Sequence, residues 1–293
     1  MLTQALSQLP PRGKVRLAIA WTIEAGQHLL TVSWLMRGRA VPIYWRAYTA
    51  SVLKGRMRRY ELAIIKRVMT RFERQISLGR LRVTADRGFA DVELMELLNS
   101  YGIRARANTQ VFVQGAWCPL QSLRFVTNSR RRHVGQVRYC ESKPRRAWVS
   151  RSRVKDQTGK WEVWYLVSNR ASRAGQMAGE YARRFGCEQG FRDAKRLLGF
   201  AEARIADIPA WSRFFALFAI AWLLLVSLGT ALLGLGKHVL LQLLRRVASR
   251  RRGRWEVSLV NAILLLLKID AALWQWLQHK TILDLEAALP NVS

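Results

Sequence analysis

The chain has 293 residues, half of them hydrophobic, which excludes a disordered protein and allows one domain with an insertion, or two domains. Lys and Arg number 49 against 19 Asp and Glu, leaving a net charge of +30 and a pI near 11.5. Such an excess repels itself unless a polyanion neutralises it, so nucleic acid is the default partner. Cys118, Cys140 and Cys187 have no Cys-x-x-Cys spacing, which suggests no disulfide framework or zinc site and fits a reducing cytosol.

The first residues lack the basic segment and long apolar run of a signal peptide. Lys14 to Ala20, Gln27 to Leu35 and Arg39 to Trp45 read as three strands, with Gly26 and Arg37-Gly38 marking turns. Strands joined this tightly are antiparallel. Lys54 to Ser77 then repeats its apolar positions (Leu62, Ile65, Val68, Met69, Phe72) at helical spacing. Leu81 to Ala85 is a short strand ending on Asp86, followed by a helical run from Asp91 to Tyr101 and a strand from Ile103 to Ala107. A strand, helix, strand unit of this length makes a parallel crossover, so the expected fold is a mixed α/β sheet flanked by helices.

From Asn108 to Lys160 basic residues (Arg130 to Arg132, Lys143, Arg145, Arg146, Arg151, Arg153, Lys155) alternate with β-type runs and with Trp117 and Trp148. This reads as a β-rich insertion. Its aromatics suit stacking on unpaired bases, and equally a small core of their own. Trp161 to Ser168 returns as a strand to the main sheet. Beyond Gly199 the chain reads as mostly helical, with a run from His238 to Arg246, a basic cluster at Arg250 to Arg254, and Trp255 to Lys280 including Trp274 and Trp276. Arg245, Arg246 and Arg250 to Arg252 read as a second phosphate-binding patch, or as a charged helix end or a surface loop. Phe214 to Leu235 is almost wholly apolar and long enough to span a membrane. A helix buried in a soluble core has the same character, and Arg213 and Lys237 bracket the run; no membrane partner is expected.

Between these regions lies Tyr181 to Lys195. Read as one helix at about 100° per residue, it puts Tyr181, Arg184, Glu188 and Lys195 on one face for about 21 Å, beside an apolar stripe of Cys187, Phe191, Ala194 and Leu198. A solvated face with i, i+4 pairing accounts for the same pattern. Acids are scarce in this chain. Asp86 closes a strand at the end where open α/β sheets place ligands, and Glu188 projects from the helix after a neighbouring strand. Two such carboxylates invite Mg²⁺ or Mn²⁺, and a two-metal site on a phosphodiester needs a third acid shared by both ions.

Tyr181-x2-Arg184-x3-Glu188-x6-Lys195 resembles, spacing for spacing, the Tyr-Arg-Glu-Lys signature of insertion-sequence transposases of family four, which are of the DDE type with a ribonuclease-H-like core. Asp86-Arg87-Gly88-Phe89 is similar to that family's second-aspartate block, and Arg37 to Trp45 to its third-strand segment. The resemblance covers most of residues 14 to 205. It implies a ribonuclease-H-like core split into residues 1–107 and 161–205 around the insertion at 108–160, with a helical C-terminal region at 206–293. It implies that Asp86 and Glu188 hold Mg²⁺ (or Mn²⁺), and that Tyr181, Arg184 and Lys195, with Arg87, hold the DNA backbone. A tryptophan of the insertion, among Trp117, Trp148 and Trp161, would stack on a flipped base. The implied partners are double-stranded transposon ends, target DNA and a second copy of the chain as a homodimer, in a bacterial cytoplasm at the nucleoid.

Two departures bear on the activity. Where the family's first aspartate closes its first strand, this chain has Ala20, and a methyl group ligates no metal. Glu24 is expected in the turn beyond the strand end and not as a replacement ligand. A cut-and-paste transposase with its first aspartate replaced by alanine, binding ends without cleaving them, is therefore the leading expectation. A naturally decayed transposase kept only for DNA binding is the alternative. The second departure is that only about a dozen residues precede the first strand, so end recognition is expected to fall to the insertion, the basic C-terminal helices, a dimer partner or another protein.

Overall fold

The computed structural model describes residues 13–24, 26–36, 39–123, 131–156, 159–197, 199–200, 202–235, 249–251 and 254–256. The chain divides into two compact units, one ending at Ser212 and the other starting at Arg213.

The first unit begins with the expected antiparallel meander, β1 (Val15–Glu24), β2 (Gln27–Met36) and β3 (Arg39–Thr49). Val15 and Leu17 to Ala20 are all buried, as in a central strand covered on both faces. One expectation is corrected here: β1 runs on through Glu24, which pairs with Gln27, so Glu24 belongs to the strand and not to a turn beyond it. The chain reverses at Gly26, whose φ of +74° lies in the region that glycine enters without steric cost.

A single turn, α1 (Ala50–Leu53), leads into α2 (Met57–Glu73), which buries Ile64, Ile65, Val68, Met69, Phe72 and also Glu61. Glu61 is tolerated inside because it accepts from the Trp21 indole at 2.7 Å and from Arg58 at 3.0 Å. Strand β4 (Leu81–Ala85) pairs parallel with β1, and α3 (Val92–Leu97) leads to β5 (Tyr101–Ala105), parallel with β4. The helix is shorter than expected because Asp91 caps it, accepting from the Glu93 and Leu94 amides, and β5 starts at Tyr101, two residues early.

The basic segment is β-rich, as expected: β6 (Gln110–Val113), β7 (Ala116–Pro119), β8 (Arg131–Tyr139) and β9 (Arg145–Lys155) precede β10 (Trp161–Ser168). These strands continue the core sheet. Its order is β3-β2-β1-β4-β5-β10-β9-β8-β6-β7, with β10 antiparallel to β5. The first five strands have the ribonuclease-H-like arrangement.

The single helix expected over Tyr181 to Lys195 is two helices, α4 (Ala174–Ala182) and α5 (Phe185–Leu197). The break at Arg183 and Arg184 is closed by i to i+3 bonds: Arg184 N–H to Tyr181 O at 2.9 Å, Gly186 N–H to Arg183 O at 3.0 Å, Cys187 N–H to Arg184 O at 2.8 Å. The two helices serve different parts of the sheet. Met177, Ala178 and Tyr181 of α4 pack on Trp164 and Leu166 of β10, whereas Cys187 of α5 packs on Ala18, Ala20, Leu35 and Ala40. Gly186 lets α5 lie flush on β3, since a Cβ there would stand 3.1 Å from the Arg39 carbonyl carbon. The expected apolar stripe holds for Cys187 and Ala194, which are buried, and for Phe191, which is half-buried.

Helix α6 spans Ile208–Leu235. Its stretch Ile208–Ser227 is long and apolar enough to cross a membrane, a test that the core helix of a soluble protein also passes. The start of the expected Trp255 helix is corrected: β11 (Ser249–Arg251) and β12 (Arg254–Glu256) form an antiparallel pair, which the helical spacing after Trp255 obscures in the sequence. Arg130, Leu198, His238 to Arg246, Arg252, Trp274 and Trp276 lie outside the described residues.

Candidate active site

Asp86 stands at the C-terminal end of β4, where the wholly buried strand meets the surface. Its Oδ1 accepts from the Arg87 amide at 2.7 Å and from the Tyr181 hydroxyl at 3.0 Å. Burial alone would raise this carboxyl, but the Arg87 amide, the Arg184 guanidinium and the Tyr181 hydroxyl outweigh it and hold Asp86 below the ordinary carboxylate range. Strands β1 and β4 are in register at Ile19 and Ala85, so one step further along both lie Ala20 and Asp86. Ala20 is 7% exposed, its methyl in the cluster with Cys187 and its carbonyl accepting from the Thr31 hydroxyl at 3.2 Å. The residue after Cys187 is Glu188.

Glu188 accepts from Arg184 Nη2 at 2.6 Å. Arg184 is 6% exposed and lies over the rings of Tyr181 and Phe185, at 5.4 and 5.3 Å. Burial would lower its pKa, but Tyr181, Asp86 and Glu188 raise it instead, so it is a fixed cation between two acids. Tyr181 is fully buried, edge-on to Trp164 at 5.0 Å, and burial with Asp86 nearby pushes its hydroxyl up to about 12. Four of the residues singled out in the sequence are thus linked in one chain of contacts, Asp86 to Tyr181 to Arg184 to Glu188. Two of them, Tyr181 and Arg184, are inside rather than on a solvated face.

Lys195 is ion-paired with Glu24 at the end of β1. Glu24 shares its face of β1 with Ala20 by strand alternation, but four residues and about 13 Å further along. Arg87 is exposed and lines a cleft of about 740 Å³ beside Asp86, together with Arg104, Arg106, Asn108, Gln121 and Tyr165. Arg104 forms an ion pair with Glu162, which also accepts from the Trp164 indole at 2.9 Å. Burial would raise Glu162, but these bonds and the Arg87 charge hold it low.

The three candidate tryptophans are spread apart. Trp117 is half-buried on β7, edge-on to Phe112 at 5.4 Å. Trp148 pairs with Ser168, which is level with Gly102 near the start of β5, the end of the sheet away from Asp86. Trp161 is 41% exposed, with Arg153 and Lys155 over its ring at 5.3 and 5.2 Å. Tyr165 is level with Ala105 at the Asp86 end of the sheet, so Trp161 projects about 13 Å beyond that end.

Sequence reading missed Arg104, Glu162 and Trp164. Glu162 carried a usable signal, as one of few acids, placed at the start of a strand returning to the sheet.

A ribonuclease-H-like sheet with an aspartate closing β4 and a glutamate on the helix crossing β1 to β3 defines a nucleic-acid-processing core. Residues 51–224, more than half the chain, match the transposase DDE domain, and the chain belongs to that family. No curated protein matches it.

Members of the DDE family use divalent metal ions. Among the described residues no group of three His, Cys, Asp or Glu side chains converges. Asp86 and Glu188 are the two acids in this chain of contacts, and the neighbouring position on β1, one step past Ile19, is the methyl group of Ala20. This donor set does not fit a pair of metal ions.

Proposed function

We propose that this chain is a family-four transposase of the Tyr-Arg-Glu-Lys type that binds double-stranded transposon ends and is unable to cut them. The observation carrying this reading is the placement of Ala20 in register beside Asp86 and against the helix that bears Glu188. A shared third carboxylate belongs at that point, and without it neither a water nor a 3′-hydroxyl is activated for attack on a phosphodiester. Glu24 does not replace it, being too far along β1 and paired with Lys195.

DNA binding is supported by the +30 net charge and by the cleft carrying Arg87, Arg104 and Arg106 beside Asp86. Their burial gives Tyr181 and Arg184 the task of fixing the two acids, leaving Arg87, Arg104, Arg106 and Lys195 to the phosphates. Trp161, exposed and flanked by cations at the start of β10, is the tryptophan best placed to meet an unpaired base. A homodimer pairing two ends in the bacterial cytoplasm goes with this reading, and α6 is then a helix of a soluble protein.

The test is cleavage of a plasmid carrying the chain's own coding sequence with its flanking DNA, in Mg²⁺ or Mn²⁺. The chain is expected to bind and leave the DNA intact, and Ala20→Asp to produce breaks at the element's ends. Cleavage by the Ala20 chain at a rate like that of Ala20→Asp would overturn the reading. Binding with no cleavage by either protein would favour the alternative, a decayed transposase whose loss extends past this one position.

A further inference from the structure

Two cations of the proposed DNA face are neutralised from within the chain. Lys195 is paired with Glu24, whose side chain is 16% exposed, and Arg104 is paired with Glu162. These acids come from β1 and β10, elements remote in sequence from α5 and β5, so neither pairing is a by-product of local helix spacing. In a chain with 19 acids against 49 bases, both stand at the catalytic end of the sheet. Glu162 is fixed by a second donor, the Trp164 indole at 2.9 Å, so its carboxylate does not simply swing away from Arg104.

We infer that Glu24 and Glu162 are phosphate surrogates: they occupy Lys195 and Arg104 in the free protein and set how strongly this face holds a polyanion. The inference rests on the DNA-binding reading above. A carboxylate satisfies an ammonium or guanidinium as a phosphate oxygen does, with charge-assisted bonds of similar length. An approaching phosphate meets a cation already compensated and must displace its partner. The exchange lowers affinity for any backbone, and it lowers the net number of counterions released on binding, because each displaced carboxylate takes up a cation as the phosphate gives one up. Discrimination against non-cognate DNA then falls to contacts that a random duplex lacks. The partial burial of Glu24 and the second bond to Glu162 keep both surrogates in place until DNA supplies a replacement.

The test uses the full chain and the double variant Glu24→Gln/Glu162→Gln, with a fluorescent 40-base-pair duplex of mixed sequence titrated over a range of salt. Gln keeps the shape and removes the charge. The double variant is expected to bind about tenfold tighter at low salt, and its plot of log affinity against log salt to steepen by about two units, one per uncovered cation. Glu73→Gln, which removes a single carboxylate charge at the exposed end of α2, is expected to leave the slope unchanged. An unchanged slope in a double variant that melts at the parent temperature would overturn the surrogate role, and so would a loss of affinity. Weaker melting with a steeper slope would still support it, since lost stability alone does not change counterion release. Failure of every protein to bind the duplex at low salt would instead defeat the DNA-binding reading, and the surrogate role with it.

Discussion

Glu180→Ala is expected to destabilise the fold by about 3 kcal/mol. Arg82 on β4 has a side chain only 6% exposed and donates three times: to Glu180 Oε2 at 2.8 Å, to Ser100 Oγ at 3.0 Å and to Ser168 Oγ at 3.2 Å. Burial lowers its pKa, and Glu180 is the largest influence opposing that. Glu180 also offsets Arg16, the register partner of Arg82 on β1, which burial and Arg183 disfavour as a cation. Removing one partner of a buried pair costs about 3–5 kcal/mol because the other charge is left uncompensated. The two serine bonds survive, which places this case at the lower end. Against a total stability of about 5–15 kcal/mol the loss is large. It also reaches the site, since Glu180 precedes Tyr181 and pins α4 to the strand that ends on Asp86. Urea unfolding followed by tryptophan fluorescence measures it. Arg82→Met/Glu180→Leu, which removes both charges, is expected to recover to within about 1 kcal/mol of the parent. A Glu180→Ala loss below about 1 kcal/mol, or a double variant equal to the sum of the singles, would refute the argument.

Asp86 has a lowered pKa in the folded chain, so the stability it contributes is present above the ordinary carboxylate value near 4 and is lost as pH falls through the lowered value. Glu162 acts in the same direction. Urea midpoints are therefore expected to fall below about pH 4, and less steeply for Asp86→Asn; a parallel decline would count against the Arg87 and Tyr181 bonds as its cause. Burial pushes the Cys187 thiol up to about 12, whereas Cys118 and Cys140 are half-exposed. A thiol reagent at pH 8 is expected to label Cys118 and Cys140 in the native chain and Cys187 only after unfolding, and rapid native labelling of Cys187 would contradict its packing against Ala20.

The meander, β4, β10 and the basic β segment were legible because alternation, Gly turns and β-branched runs act locally. Asp86 was legible for the same reason, as a lone acid at a strand end. The break between α4 and α5 was not, because no proline marks it and the apolar spacing continues through it. It arises from tertiary demand: α4 packs on Trp164 and α5 on Ala20, and Gly186 allows the close approach at the junction. For that reason the four-residue signature reads in sequence as one solvated face, while in space Tyr181 and Arg184 are buried. The pairs Lys195 with Glu24 and Arg104 with Glu162 join elements far apart in the chain, and no local pattern specifies them.

The central claim is that the site holds two acids where three are needed, and counting bound Mn²⁺ by electron paramagnetic resonance tests it most directly. With duplex DNA present and free Mn²⁺ held constant, Ala20→Asp is expected to bind at least one more Mn²⁺ per chain than the Ala20 protein. Equal counts for the two proteins would contradict the account.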